Sequence, residues 1–255
     1  MLTKEQKVSI FKEVLEKFET EEIRLYCEDM IGLIPDDSLV LPSSTSLKYH
    51  NAKQCSLWGN AYHIVMTVEV CNYFLGLEHN MNKFPRPKQR DCIRTGMALH
   101  DAIKLGWNGS QYSLFNHSIL AADWIKETKV EHDIRQELKD YIAGLVASHG
   151  GEWNTSNRSK EILPKPETPE QELIHQCDYI SSRSNIDMSY SEEFEENIQK
   201  LTENLVHTYQ FSFGKHKGET VKYVYDNHLD YLRWLHENDK LKEPIKTIVE
   251  KLNNL

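Results

Sequence analysis

From Thr3 to Tyr209 the apolar residues recur at three- and four-residue spacing and almost never alternate. That period restricts the chain to helices that each bury one face. Val8, Phe11, Val14, Leu15 and Phe18 predict a helix over Thr3 to Phe18, with Thr3 able to cap its start. Glu21 to Ile31 predicts a second helix, closed by Gly32 and Pro35, and Pro35 to Ser46 reads as a loop. Further helices are expected over Asn60 to Leu77, Arg90 to Leu105, from His117 through Ile125, Val130 to Ser148, Pro169 to Ser184 and Glu192 to Tyr209. A polar, proline-rich loop separates two of them from Asn154 to Pro169. The expectation is a mainly α body over residues 1–209.

At Phe211 the texture changes. Phe211 to Thr220 carries two glycines and reads as a turn or hairpin, and Val221 to Asn227, His228 to Asn238 and Leu241 to Leu255 read as short helices. Eight Lys and Arg face seven Asp and Glu from Phe211 onward, whereas the whole chain carries a net charge of −9. Residues 210–255 are therefore expected to form a small appended α or α+β module. The acidic body argues against broad, non-specific duplex binding, which needs cations to neutralise phosphates.

Of the 255 residues, 39% are hydrophobic and 27% charged, as in a folded soluble domain. Cys27, Cys55, Cys71, Cys92 and Cys177 are an odd, scattered set with no CxxC pair. They suggest reduced thiols, a cytoplasmic location and no cysteine zinc site. The charged stretch Met1 to Phe18 does not read as a signal peptide, and no apolar run approaches the ~20 residues of a membrane span.

The chemistry is concentrated at Ala98-Leu99-His100-Asp101-Ala102-Ile103-Lys104. An imidazole next to a carboxylate suits Mn, Fe, Zn or Mg. Lys104 falls one turn after His100 and is expected to point at the same place. His63, His117, His149 and Asp178 sit at or near other predicted helix ends or on a helix that could face the same cavity. Several helices that contribute one or two ligands each are how a helical bundle builds a metal site.

The ordered set His63, His100-Asp101, His117, His149, Asp178 resembles the HD superfamily of metal-dependent phosphohydrolases. The flanks agree: the Ala98 to Lys104 stretch resembles the family's HD-x-x-K helix. Asn116 to Ala122 is similar to the His-initiated helix that follows. Leu145 to Glu152 resembles the S-H-H-G segment, with Gly150 in place of its second histidine. Cys177 to Arg183 is similar to the closing Asp helix with its following Arg. Lys48-Tyr49-His50 resembles a histidine entrance loop of HD proteins related to 3′→5′ exonucleases, although Asn51 to Tyr62 is longer than the usual run to the first ligand. The likeness covers roughly residues 40–190 and implies an HD-domain helical bundle.

The resemblance implies two divalent ions (Mn, Fe, Mg, Ni or Zn) bridged by Asp101, with His63, His100 and Asp178 on one and His117 and His149 on the other. A hydroxide between the ions would attack phosphorus. Asp101, Lys104 and Arg183 are the expected catalytic residues, the two cations serving phosphate oxygens or the leaving group. His50 is expected to bind substrate.

The tail has its own likeness. Phe213-Gly214-Lys215-His216-Lys217-Gly218 with Tyr231-Leu232-Arg233-Trp234-Leu235 resembles the FGKxKG…YLxWL module that follows some DnaQ-type exonuclease domains and occurs in phage proteins. Lys215 and Lys217 are expected to bind substrate there, as in single-strand binders. The function expected is hydrolysis of phosphoester bonds in a nucleotide or single-stranded nucleic acid. A 3′→5′ exonuclease, a dNTP hydrolase and a cyclic-nucleotide phosphodiesterase all remain open. A catalytically inactive HD scaffold that binds nucleic acid or protein is the alternative from another class, disfavoured by the intact ligand set.

Overall fold

The structure, a computed structural model, describes residues 2–44, 46–107, 113–157 and 159–253. Among them are fourteen helices and two isolated β-bridges, with no sheet. The mainly α expectation therefore holds.

The chain opens on α1 (Lys4–Ile10) and α2 (Lys12–Leu15). Thr3 and Gln6 form a reciprocal capping box at the start, so two orphan N–H groups are satisfied at once. The single helix expected over Thr3 to Phe18 is broken at Phe11, which leaves helical geometry as its ring becomes wholly buried. Next, α3 (Glu21–Leu33) stops where Pro35 pushes Ile34 to an extended conformation, and α4 (Asp36–Val40) follows. That short helix lies in a stretch expected to be loop. Asp36 and Asp37 in its first turn suit the positive end of the helix, and Ser38, Leu39 and Val40 are buried.

The centre of the body is α5 (Gly59–Leu75), buried on almost every side. It is followed by α6 (Glu78–Lys83), which the sequence pattern did not predict, and α7 (Pro87–Leu99). Then come α8 (His117–Glu127), α9 (Gln136–Ala147), α10 (Pro169–Ser181) and α11 (Glu192–Thr208). Helix α5 packs against α7 and α10, α7 lies on α3 and α9, and α8 pairs with α9. Ile64, Val68, Ile93, Met97, Ile142, Val146 and Ile174 fill the space between them, each fully buried. Side chains of this kind contribute about 1.5–3 kcal/mol apiece. Gly96 allows the close approach of α7 to its neighbours: a Cβ there would lie 3.0 Å from Ile174 Cδ1.

A polar clamp fixes α7 from outside. Glu19 binds Arg90 and Arg94, while Asp91 accepts from the backbone of Glu19 and Thr20. Together they tie the start of α3 to the helix that leads into His100.

Beyond α11 come α12 (Val221–Asn227), α13 (Leu229–Glu237) and α14 (Ile245–Asn253). The segment before them folds back on itself: Gln210 bridges Thr220, and Phe211 N–H donates to Glu219 O at 2.9 Å. Helices α12 and α14 rest on α11, so the apolar core continues into this region through Val221, Val224, Ile248 and Leu252. All five cysteines are free, and no helix among the described residues is long and apolar enough to cross a membrane.

Candidate metal centre

Three of the expected histidines are anchored in the same way. The Nδ1–H of His100 donates to Met97 O at 2.6 Å, that of His117 to Leu114 O at 2.6 Å, and that of His149 to Val146 O at 2.8 Å. Each acceptor is a carbonyl three residues earlier, and a carbonyl can only accept. Each ring thereby commits its Nδ1 proton to a carbonyl and turns Nε2 toward the cluster. The local backbone makes this reach available. Helix α7 ends at Leu99, so His100 caps it, and the chain continues in tighter i→i+3 turns at Ala102, Lys104 and Gly106. The helix expected to run to Leu105 is thus six residues shorter at that end, and His100 and Asp101 stand at its mouth. His117 is the first residue of α8, and His149 follows the last turn of α9.

The freed nitrogens converge. His117 Nε2 and His149 Nε2 lie 3.1 Å apart. Asp101 Oδ1 is 3.2 Å from His117 Nε2. Its Oδ2 is 3.7 Å from His100 Nε2 and 3.9 Å from His63 Nε2. Asp178, on α10, places Oδ1 3.0 Å from His63 Nε2 and 3.7 Å from His100 Nε2. Ligand atoms of His63, His100 and Asp101 lie within 4.8 Å of one another, as do those of Asp101, His117 and His149. The two triads share one residue, and that residue is the carboxylate. All six expected ligands are brought together.

The electrostatics favour cations. Burial pushes His149 down to about 3, helped by His117 and His100, and burial likewise lowers His100. These imidazoles are held neutral, the form that binds metal. Burial alone would raise Asp101, but Lys104, His100 and His117 hold it well below the usual carboxylate range. Asp178 is lowered against burial by His63, His100 and His149. Two ionised carboxylates and four imidazoles suit divalent ions.

Two orphaned features test the fit. His117 Nε2 and His149 Nε2 face each other at 3.1 Å, each ring's Nδ1 proton being committed to a carbonyl. His100 Nε2 is buried without any hydrogen-bond partner. Cations between these side chains would satisfy both. The cluster reaches solvent at Asp178 and His117, whose side chains are 22% and 19% exposed, while the side chains of His63, His100 and Asp101 are 3% exposed or less.

Lys104 enters the cluster: its ammonium is 2.5 Å from Asp101 Oδ2 and donates to Ser43 Oγ at 2.9 Å, and Asn60 Oδ1 is 3.4 Å away. His50 packs edge-on against His63 at 5.3 Å, with a buried, unpartnered Nδ1, and burial pushes it down to about 3. Arg183 turns aside: its guanidinium covers the Tyr179 ring at 4.2 Å and donates to Tyr179 O and Ser182 Oγ. Lys215 and Lys217 are exposed on the 211–220 turn and make none of the contacts that define the cluster.

The sequence reading missed the residues that hold the ligands. Ser43 and Asn60 position Lys104, and His175 donates from Nδ1 to His149 O at 3.0 Å. His175 lies three residues before Asp178 on α10, on the same face, which is the one signal that would have found it. Trp153 stacks on Tyr179, the residue after Asp178, at 5.2 Å. Ser43 and Asn60 carry no local signal.

The family model for the HD domain matches residues 61–183, starting two residues before His63 and ending at Arg183. The model described as exodeoxyribonuclease X-like C-terminal matches residues 211–240. No curated protein and no solved structure matches the chain significantly. Residues 61–183 thus match an HD domain, the domain type of the metal-dependent phosphohydrolase superfamily, and residues 211–240 match an exodeoxyribonuclease X-like C-terminal domain.

Proposed function

We propose that this protein is a two-metal phosphohydrolase that cleaves phosphoester bonds of a nucleotide or single-stranded nucleic acid. The observation that carries the reading is the pair of candidate ligand triads sharing Asp101, with His117 Nε2 and His149 Nε2 3.1 Å apart. His63, His100, Asp101 and Asp178 would hold one ion, and Asp101, His117 and His149 the other. Such ions supply an activated water and a positive charge for the phosphoryl oxygens.

The chain's own residues do the rest. The Nδ1–H bonds to Met97, Leu114 and Val146 orient three ligands before any metal arrives, so little ordering remains to be done on binding. Lys104 keeps Asp101 ionised and adds positive charge where a phosphoryl group gains negative charge. Arg183, two residues beyond the helix that bears Asp178, would swing its guanidinium from the Tyr179 ring to a phosphate oxygen. His50, neutral and unpartnered at Nδ1, would accept or donate a hydrogen bond to substrate.

Residues 1–209 would be the hydrolase unit and 210–255 a substrate-holding unit. Lys215 and Lys217 would contact phosphates of an extended strand. The five unbridged cysteines support a reducing, cytoplasmic setting.

A panel of dNTPs, cyclic mono- and dinucleotides, and single-stranded DNA and RNA, incubated with the Mn²⁺-loaded protein and read by mass, tests the assignment. Hydrolysis of one class, abolished by chelation and restored by metal, is expected. No turnover of any class with Mn²⁺, Fe²⁺ or Zn²⁺ would defeat it.

A further inference from the structure

The exodeoxyribonuclease X-like domain has a buried histidine that its packing leaves unsatisfied. His216 is 4% exposed, yet it sits on a turn between Gly214 and Gly218. Its Nδ1 lies 2.6 Å from Glu219 Oε2, and its Nε2 is buried with no partner. Buried polar atoms of this kind are rare in folded proteins unless water or an ion satisfies them. The ring of His228 lies 4.5 Å from that of His216, and Tyr231 closes the other side at 4.6 Å. One ligand atom from each of His216, Glu219 and His228 lies within 4.8 Å of the other two.

We infer that His216, Glu219 and His228 form a second divalent-cation site, separate from the HD centre and built for zinc. Two imidazoles and a carboxylate are an established zinc donor set, with a fourth position left for water. Ligand atoms around a tetrahedral zinc with bonds of about 2.0–2.2 Å lie roughly 3.5 Å apart, so zinc on His216 Nε2 requires Glu219 to leave the Nδ1 it now contacts at 2.6 Å and turn to the Nε2 side. The Glu219 side chain, 43% exposed, is free to make that movement.

The location gives the ion a purpose. His216 and Glu219 belong to the folded-back segment before α12, and His228 is the junction residue where α12 ends and α13 begins. The two helices have seven and nine residues, too short to be stable alone. A metal is a common staple for units of this size. Here it would lock the turn that carries Lys215 and Lys217 onto the helices behind it. None of the three ligands belongs to the HD cluster, so the inference stands whether or not that cluster hydrolyses phosphoesters.

The test is zinc titration of the chelator-stripped, full-length protein, followed by native mass spectrometry, for the parent, Glu219→Gln, His228→Ala and Asp101→Ala. The parent is expected to bind one zinc more than its HD centre accounts for. Glu219→Gln and His228→Ala should each weaken that one equivalent at least tenfold and leave the others unchanged. Asp101→Ala should keep it. Adding zinc should slow proteolysis between residues 211 and 240 in the parent and in Asp101→Ala, but not in Glu219→Gln. Unchanged zinc stoichiometry and affinity in Glu219→Gln overturns the site. Because that side chain is largely at the surface, its result decides the matter even if His228→Ala does not fold.

Discussion

Lys104→Met should destabilise the metal-free protein strongly and the metal-loaded protein weakly. Lys104 is buried, and its ammonium is 2.5 Å from Asp101 Oδ2, which belongs to a residue only 2% exposed. At an effective dielectric of about 20, the attraction at that distance is about 7 kcal/mol before desolvation is subtracted. Breaking a buried pair of this kind by removing one partner costs about 3–5 kcal/mol, because the remaining charge is stranded. Methionine keeps the stem and volume, so the loss of charge dominates. With divalent ions bound, Asp101 has other cations and Lys104 is repelled by them, so the cost should fall to about 1 kcal/mol or less. Linkage then fixes the other side of the cycle: a difference of about 2–4 kcal/mol means that Lys104→Met binds metal roughly 30- to 850-fold more tightly than the parent. Turnover should still drop if Lys104 serves the phosphoryl group as proposed, because its positive charge is gone. The assay is urea unfolding of parent and variant, each with chelator and with saturating Mn²⁺, alongside a direct Mn²⁺ titration. Equal destabilisation in both states, or weaker Mn²⁺ binding by the variant, would refute the pairing of Lys104 with a metal-bridging Asp101.

Gly151→Ala should cost about 2–4 kcal/mol and lower metal content as well, since a Cβ there would lie 2.1–2.4 Å from the His175 ring at a φ of +57°, and that ring holds the His149 carbonyl; urea unfolding and elemental analysis read both effects. Glu19 is depressed to about 2, chiefly by its hydrogen bonds to Arg90, with burial opposing and Arg94 assisting. A carboxylate lowered on folding contributes stability above its unfolded pKa of about 4.3, and loses it as pH falls toward 2. Glu19→Gln should therefore cost about 1–2 kcal/mol at pH 7, allowing for partial exposure, and the gap between parent and variant in denaturant melts should close between about pH 4.3 and 2. Changing Lys215 and Lys217 together to Glu should weaken single-stranded DNA binding and flatten its log–log salt dependence by about 1.4, at about 0.7 for each phosphate no longer neutralised; an unchanged slope in fluorescence titrations removes the turn from the binding surface.

The helical character of the chain was legible because amphipathic period survives tertiary packing, and the order of six metal-capable side chains survives any folding detail. Element ends were less legible. Helix α7 stops at Leu99 because the His100 ring and tight turns take over its last carbonyls, which apolar spacing cannot reveal. The short α4 and α6 span fewer than two turns, too few for an apolar period to repeat, and Phe11 breaks a helix through where its ring is buried rather than through any breaker residue. At the site, the six side chains that converge were readable and their supports were not. Ser43 and Asn60 reach Lys104 across 61 and 44 residues of sequence, and only folding makes them neighbours. Arg183 was expected at the phosphate position, and its guanidinium rests on Tyr179 instead.

The central claim is that Asp101 joins two metal positions into one hydrolytic centre, and Asp101→Ala measures it most directly. Each imidazole serves one ion, whereas both oxygens of this carboxylate face ligand nitrogens, Oδ1 toward His117 and Oδ2 toward His63 and His100. Manganese content and phosphodiester turnover are measured together on Asp101→Ala, with His149→Ala as the one-position comparison and far-UV circular dichroism as the folding control. The account predicts a folded Asp101→Ala protein with clearly less manganese than His149→Ala and no turnover. A folded Asp101→Ala protein with the parent's manganese content and the parent's rate of hydrolysis would contradict it.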